Sequence, residues 1–426
     1  MIISLFMMKK LKRVVVTGVG SITPIGNNAE EYWISLISGK NGSAPITYFD
    51  TKKYKTKFAC ELKNYDPDIF FSKKEQRKLD PCAQYGIVAS SEAIKNSGIN
   101  FSKEKKERIG VIWASGIGGL LNLEESISDY VNGGKNPRFS PFFIPKMLID
   151  ITAGFISMNY GLHGPNYATV SACASSSNAI VDAYHLICLG KADIMVTGGS
   201  EAAITQSGVG GFNALHALST RNEDYKTASR PFDRDRDGFV LGEGAGCLIL
   251  EEYKHAKRRG ANIYAEIGGV GMSGDAYHIT APHPEGKGIV LAMKTAIEDA
   301  GIGYEEVDHI NAHGTSTILG DRAEVKAIQE VFHENVYNID INSTKSMTGH
   351  LLGAAGAIEA IAAILPLSKK IIPPTINLFH IDKKIDPKIS FTQNKAINRE
   401  VKISICNTFG FGGHNVCILF KKIDVI

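Results

Sequence analysis

Short apolar runs rich in β-branched residues recur along the whole chain, most of them closed by glycine or other small residues. Val14–Val19, Ile109–Trp113, Tyr167–Ala172, Asp193–Thr197 and Cys247–Leu250 come first; Ile263–Ile267, His309–Ala312, Ile339–Ser343 and Ile403–Cys406 follow. Between them lie segments with helical spacing, Ala83–Asn96, Asn178–Leu189, Ile289–Ala300 and Ala354–Leu367. Strands that are apolar on both faces need cover on both faces, so the pattern predicts an α/β fold with mostly buried sheets. The scheme also occurs twice. Tyr167–Leu189 and Ile339–Leu367 each run strand, small-residue turn, long Ala-rich helix, and each precedes a strand with a glycine cluster, Asp193–Gly199 and Ile403–Gly413. No Pro/Ser-rich linker separates them. Two halves fused around one core are expected, 8–258 and 259–426, with the boundary near Arg258–Ala261.

Composition narrows the function classes. The chain has 426 residues, 44% hydrophobic and 21% charged, ordinary for a globular enzyme. A net charge of +3 argues against nucleic acid yet permits a local basic patch for an acidic partner. Seven cysteines without a C-x-x-C pair fit neither a disulfide framework nor a zinc site and point to the reducing cytoplasm. No apolar run approaches the roughly 18 residues of a spanning helix, and the start is too short for a signal peptide. Translation is expected to begin at Met8, with the first seven residues a disordered extension. The glycine clusters 116/118/119, 198/199 and 410/412/413 are expected in tight turns.

Four segments carry chemistry. In Val170-Ser-Ala-Cys173-Ala-Ser-Ser-Ser-Asn178 a strand delivers Cys173 to a small-residue turn and a helix starts at once, as in a nucleophile elbow. The helix N-terminus is expected to lower the thiol pKa. The other cysteines read as packing residues. Ile310-Asn-Ala-His313-Gly-Thr315-Ser-Thr317 places a histidine at a glycine turn after a strand, and Asn342-Ser-Thr-Lys345-Ser-Met-Thr-Gly-His350 places a lysine and a histidine on the equivalent turn of the second half. Asn407-Thr-Phe-Gly-Phe411-Gly-Gly-His414-Asn415 can bring backbone N–H groups close to a reacting centre. Neither a P-loop nor a dinucleotide fingerprint is present in register.

These motifs, in this order, resemble the β-ketoacyl-[acyl carrier protein] synthase I/II family of the thiolase superfamily, and most of all its synthase II branch. Arg230-Pro-Phe-Asp-x-Asp-Arg-Asp-Gly-Phe and Gly242-Glu-Gly-Ala-Gly match it as well, and the likeness runs from Lys12 to Lys422. The resemblance implies a five-layered α-β-α-β-α thiolase fold, a homodimer, and decarboxylative condensation of malonyl-carrier protein with an acyl group on Cys173. It assigns Cys173, His313 and His350 as the triad, Lys345 as supporting cation, and Glu359 and Glu324 as supporting carboxylates. Cys173 and Phe411 would supply oxyanion N–H groups, and Phe411 the gate, with Ile117 and Phe212 as acyl-pocket walls. Thr315 and Thr317 would hold the pantetheine arm. Lys74, Arg77 and Lys78, extended by Lys135 and Arg138, would dock the acidic carrier protein. No metal or cofactor is implied beyond the phosphopantetheine that the carrier brings. The chain departs from the family pattern at Ala-Ser-Ser-Ser after the cysteine, at His414, and at His216, where synthase II commonly has Arg.

Rival readings fare less well. A synthase III initiator would need Asn in place of one histidine, a chain-length factor would lack the nucleophile, and a degradative thiolase would need a cysteine in the C-terminal glycine loop. A Cys-His thioester hydrolase gives no role to Lys345. A polyketide-type ketosynthase with the same chemistry and a non-catalytic carrier-binding scaffold are the alternatives carried forward.

Overall fold

The computed structural model describes residues 11–423, so the start placed at Met8 lies outside the described residues. The first half contributes β1 (Val14–Ile22), β2 (Ile109–Ala114), β3 (Asn166–Thr169), β4 (Ile194–Glu201) and β5 (Gly244–Glu252). The second contributes β6 (Ala265–Gly274), β7 (His309–Asn311), β8 (Asp340–Asn342), β9 (Ile403–Gly410) and β10 (His414–Lys421). Across the sheet the order is β8-β7-β9-β10-β6-β1-β5-β4-β2-β3.

The two halves of that order are the same scheme. In each, the third, second, fourth, fifth and first strands lie side by side; the first two pairings are parallel and the next two antiparallel. They meet edge to edge where Val14–Val16 of β1 runs antiparallel to Ala265–Ile267 of β6. The repeat legible as a pattern is therefore a repeat of topology.

Helices complete five layers. Helix α1 (Pro81–Ser97) covers β1, β5 and β4 from one side, and α3 (Lys287–Ala300) covers β6 and β10 from the other. Between the two halves of the sheet lie α2 (Ser175–Cys188) and α5 (Ala355–Lys369), which touch each other and strands of both halves. Glycines admit the outer helices in matching places. A Cβ on Gly18 or Gly20 of β1 would strike the α1 carbonyls of Ala93 or Ala89; one on Gly269 or Gly271 of β6 would strike those of Ala296 or Ala292 in α3. This is close packing of helix on sheet.

Several sequence expectations are corrected. Gly198 and Gly199 form no turn: β4 runs through them to Glu201, because a side chain there would collide with Gly246 of β5 or with Ser176. The strand at Tyr167–Ala172 stops at Thr169, since the chain bends at Ala172, φ +51°. β10 was not foreseen. Leu352–Lys369 does reach spanning length, with mean hydropathy 1.4 over 18 residues, although 89% of it is buried in the protein. A middle-layer helix has no solvent face, so it is apolar all round and passes the same test as a membrane helix. The expected boundary, Arg258–Ala261, lies between the helix Tyr253–Arg258 and β6.

Candidate active site

Cys173 sits on a single 3-10 turn, Ala172–Ala174, from which α2 departs. The left-handed Ala172 is costly for a residue with a Cβ, and the serines that follow offset it. Ser175 Oγ donates to Ala172 O at 2.6 Å and accepts from Ser171 N at 2.9 Å, while Asn178 Nδ2 donates to Ser171 Oγ at 2.6 Å. The second half has the same turn, Leu352–Ala354, with Leu352 at φ +46° before α5. The two turns pack together: Ala357 N donates to Ser176 Oγ at 2.9 Å, and Ser177 closes on Gly356. Within the Ala-Ser-Ser-Ser stretch, Ser175 thus serves the elbow turn, and Ser176 and Ser177 serve the contact between the middle helices.

Sequence-distant groups converge on the sulfur. His350 Nε2 lies 3.0 Å from Cys173 Sγ. Its other ring nitrogen, Nδ1, accepts from Leu352 N at 3.3 Å, so the ring proton belongs on Nε2. His313 is arranged alike. Lys345 Nζ donates to its Nδ1 at 3.3 Å, and the His313 and His350 rings stand edge to face, 5.3 Å apart. Lys345 is buried and ion-paired with Glu359 of α5. Glu324, on the helix Ile318–Phe332 (α4), accepts from His313 N at 2.8 Å and Gly314 N at 2.7 Å, holding the histidine turn by its backbone.

Burial dominates the electrostatics. It drives both imidazoles well below their ordinary pKa, and the Lys345 charge pushes the same way. It raises Glu359 and Glu324 to about 7, against the pull of Lys345 on the first and of two backbone N–H groups on the second. The Cys173 thiol is pushed up to about 11 by burial, although Lys345 and the Phe411 N–H both favour the thiolate. The lowering expected from the helix terminus is therefore overturned: desolvation in an apolar chamber outweighs it.

The glycine loop closes over this centre. A Cβ on Gly410 would lie 3.2 Å from Cys173 N and 3.1 Å from Ala174 N, and Gly412 and Gly413 have φ of +86° and +75°. The half-buried Phe411 follows on the cavity wall. A cavity of about 500 Å³ reaches Cys173, His313 and His350, and Ile117, Phe212, Phe411, Thr315 and Thr317 all line it. Thr315 Oγ1 and Thr317 Oγ1 are 3.0 Å apart. His216 lines it too.

The remaining sequence-derived residues lie elsewhere. Lys74, Arg77, Lys78, Lys135 and Arg138 do not line the cavity. Lys78 Nζ sits over the Phe142 ring, 5.9 Å from its centroid. Among the described residues neither Lys74 nor Arg77 forms an ion pair. Sequence reasoning missed Phe239, whose ring stands 5.2 Å from that of His350, and Phe409, 5.6 Å from His313. Both lie inside the quoted motifs, but a core aromatic and a site aromatic look alike in sequence.

Comparison with known proteins agrees with this geometry. Residues 11–256 match the model for the Beta-ketoacyl synthase, N-terminal domain, and residues 264–379 that for the C-terminal domain. A 3-oxoacyl-[acyl-carrier-protein] synthase 2 of Staphylococcus aureus is 46% identical over 98% of the chain and 100% of the relative. A protein of that name from a Synechocystis species is 47% identical over 96% and 98%. Among solved structures, a beta-ketoacyl synthase from Burkholderia phymatum superposes with TM-score 0.89 at 34% identity, covering 97% of this chain and 100% of that one. A type II polyketide ketosynthase bound to its acyl-carrier protein gives 0.90 at 32%, with the same coverage. With the elbow cysteine, the paired histidines and the doubled sheet in place, these matches show that the chain belongs to the β-ketoacyl synthase family, the condensing acyltransferases of thiolase fold.

Proposed function

We propose that the chain elongates fatty acyl groups by decarboxylative condensation of malonyl-carrier protein with an acyl group held on Cys173. The observation that carries this is the meeting of two histidines at Cys173: each has Nδ1 engaged, by Leu352 N or by Lys345 Nζ, which leaves its proton on Nε2, and the Nε2 of His350 faces the sulfur at 3.0 Å. As the sulfur attacks the acyl thioester its proton passes to the departing pantetheine sulfur, so the Cys173 thioester forms and the pantetheine thiol leaves. The oxyanion accepts from the N–H groups of Cys173 and Phe411. Malonyl-carrier protein then loses CO2, and its enolate oxygen accepts from Nε2–H of His313 and His350. Neutral imidazoles hold that oxygen without offering a strongly acidic proton to the carbanion. The enolate carbon attacks the acyl thioester, the Cys173 thiolate leaves, and 3-oxoacyl-carrier protein forms.

Lys345 with Glu359 orients His313, Glu324 holds its turn, and Thr315 and Thr317 receive the pantetheine arm. Ile117, Phe212 and Phe411 bound the acyl chamber. No resident metal or redox group is called for. The donor atoms of Cys173, His313 and His350 lie within 4.8 Å of one another, but protons occupy the Nε2 lone pairs and Lys345 adds positive charge, so the set suits an anion.

Relatives at 46–47% identity are named 3-oxoacyl-[acyl-carrier-protein] synthase 2, whereas the polyketide neighbour is 32% identical, which favours elongation over polyketide assembly. Acyl carrier protein is the proposed partner, docked through Lys74, Arg77, Lys78, Lys135 and Arg138. A homodimer is supported by the sheet edge at β3, where Tyr167 and, just after the strand, Val170 are exposed. Free, buried cysteines support a cytoplasmic location. The repeated strand order supports the division into 8–258 and 259–426.

Intact-protein mass spectrometry after incubation with acyl-carrier proteins of graded length tests the reading. Acyl mass on the wild type and none on Cys173→Ala is expected. Absence of acylation with every primer would favour a carrier-binding scaffold.

A further inference from the structure

Glu201 is fully buried, lies outside the cavity wall and takes no part in the chemistry above. It ends β4 beside the loop leaving β2, because these parallel neighbours stop at the same edge. Its Oε1 accepts from Ser115 Oγ at 2.8 Å and Ile117 N at 3.2 Å, with Gly118 N at 3.4 Å. Its Oε2 accepts from Gly116 N at 2.8 Å and, from the other half of the chain, Gly353 N at 2.9 Å. A Cβ on Gly353 would strike Gly116 N, so the two backbones lie directly together.

One carboxylate therefore joins the acyl-chamber wall at Ile117 to the turn in which Leu352 N orients His350. Its chemistry fits that task. Every group facing it is a donor, and an ionised carboxylate only accepts, with room for about four bonds on two oxygens. Burying a charge is expensive when a neutral group could fill the space; burial raises the Glu201 pKa, and the donors from Ser115, Gly353, Gly116 and Ile117 oppose that cost only in part.

We propose that Glu201 is a positioning residue of the condensation, setting the chamber wall at Ile117 and the His350 turn in register. The proposal rests on the acyl-enzyme reading. Glu201→Gln keeps the size but turns an NH2 group toward backbone N–H donors. Ser115→Ala removes one bond at Oε1, together with the bond Ser115 Oγ accepts from Gly118 N in the same loop, and leaves Gly353 untouched, which separates the two halves of the role.

The test follows acylation by carriers of graded acyl length and CO2 release from malonyl-carrier protein, on both variants and wild type. Glu201→Gln should shift the length profile and lower kcat for CO2 release roughly tenfold at unchanged KM. Ser115→Ala should shift the profile alone. A folded Glu201→Gln with wild-type profile and CO2 release overturns the proposal, as does a uniform loss that only tracks the folded fraction. Should Glu201→Gln not fold, an unshifted profile in Ser115→Ala overturns it. Wild-type acylation in the same series separates the two ideas: its absence sinks the acyl-enzyme reading itself, and its presence beside unaltered variants sinks only the role of Glu201.

Discussion

His350 Nε2 faces the sulfur of Cys173 at 3.0 Å, and the proton it presents is placed there by a backbone amide two residues further on. The sulfur is faced by an aimed N–H inside a mostly apolar chamber.

Alkylation by iodoacetamide should show this. With the thiol at about 11, the thiolate is a minor species at neutral pH and grows about tenfold per pH unit. Peptide mapping between pH 7 and 9, with Cys173→Ala for background, should give a Cys173 rate that climbs through the range. A plateau would mean a thiol already ionised.

Decarboxylation should instead show no histidine limb. Both imidazoles are held well below their usual pKa, so they are neutral from about pH 6.5 upward. CO2 release from malonyl-carrier protein, measured between pH 6.5 and 8, should not fall for want of an imidazolium. A rate that declines as pH rises through 7 would assign a charged histidine to this step.

Lys345→Met should cost both activity and stability. It strips Glu359 of its buried cation and leaves His313 Nδ1 without its donor. Breaking one side of a buried pair costs about 3–5 kcal/mol, and mispresented enolate donors should slow CO2 release by roughly 10²–10³-fold. Adding Glu359→Gln should recover much of the melting temperature and none of the rate. Recovery of both would reduce Lys345 to a packing role.

Gly410→Ala tests the oxyanion pair. The new methyl would stand 2.6 Å from Ser171 O, with the backbone N of Ala174 and of Cys173 at 3.1 and 3.2 Å, and would push the loop away. A misplacement of about 1 Å costs about 10²-fold. Acylation rates should fall while the far-ultraviolet circular dichroism stays the same.

Charge reversal at Lys74 and Arg77 tests docking. The double variant Lys74→Glu, Arg77→Glu should raise KM for acyl-carrier protein with kcat little changed, and leave acyl-pantetheine kinetics alone. Equal effects on both substrates would move the docking surface elsewhere.

Much of this was legible in the residues. Local rules determined the run of apolar strands and intervening helices, the turn that presents Cys173, and the histidine and lysine turns, because each depends on neighbours within one strand-turn-helix unit. The family likeness added roles to those positions. Tertiary structure alone decided the rest. The thiol is less acidic than its helix terminus implies because desolvation is set by walls from distant segments. The Gly198–Gly199 pair belongs to a strand because Gly246 and Ser176 leave no room for a side chain. The proton on His350, and the reach of Glu201 from the chamber wall to Gly353, depend on atoms that meet across the middle of the fold and are far apart along the chain. Pattern and spacing report what a residue's neighbours in sequence require. Desolvation, tautomer and register are properties of the assembled core, and they arise only when both halves close on one another.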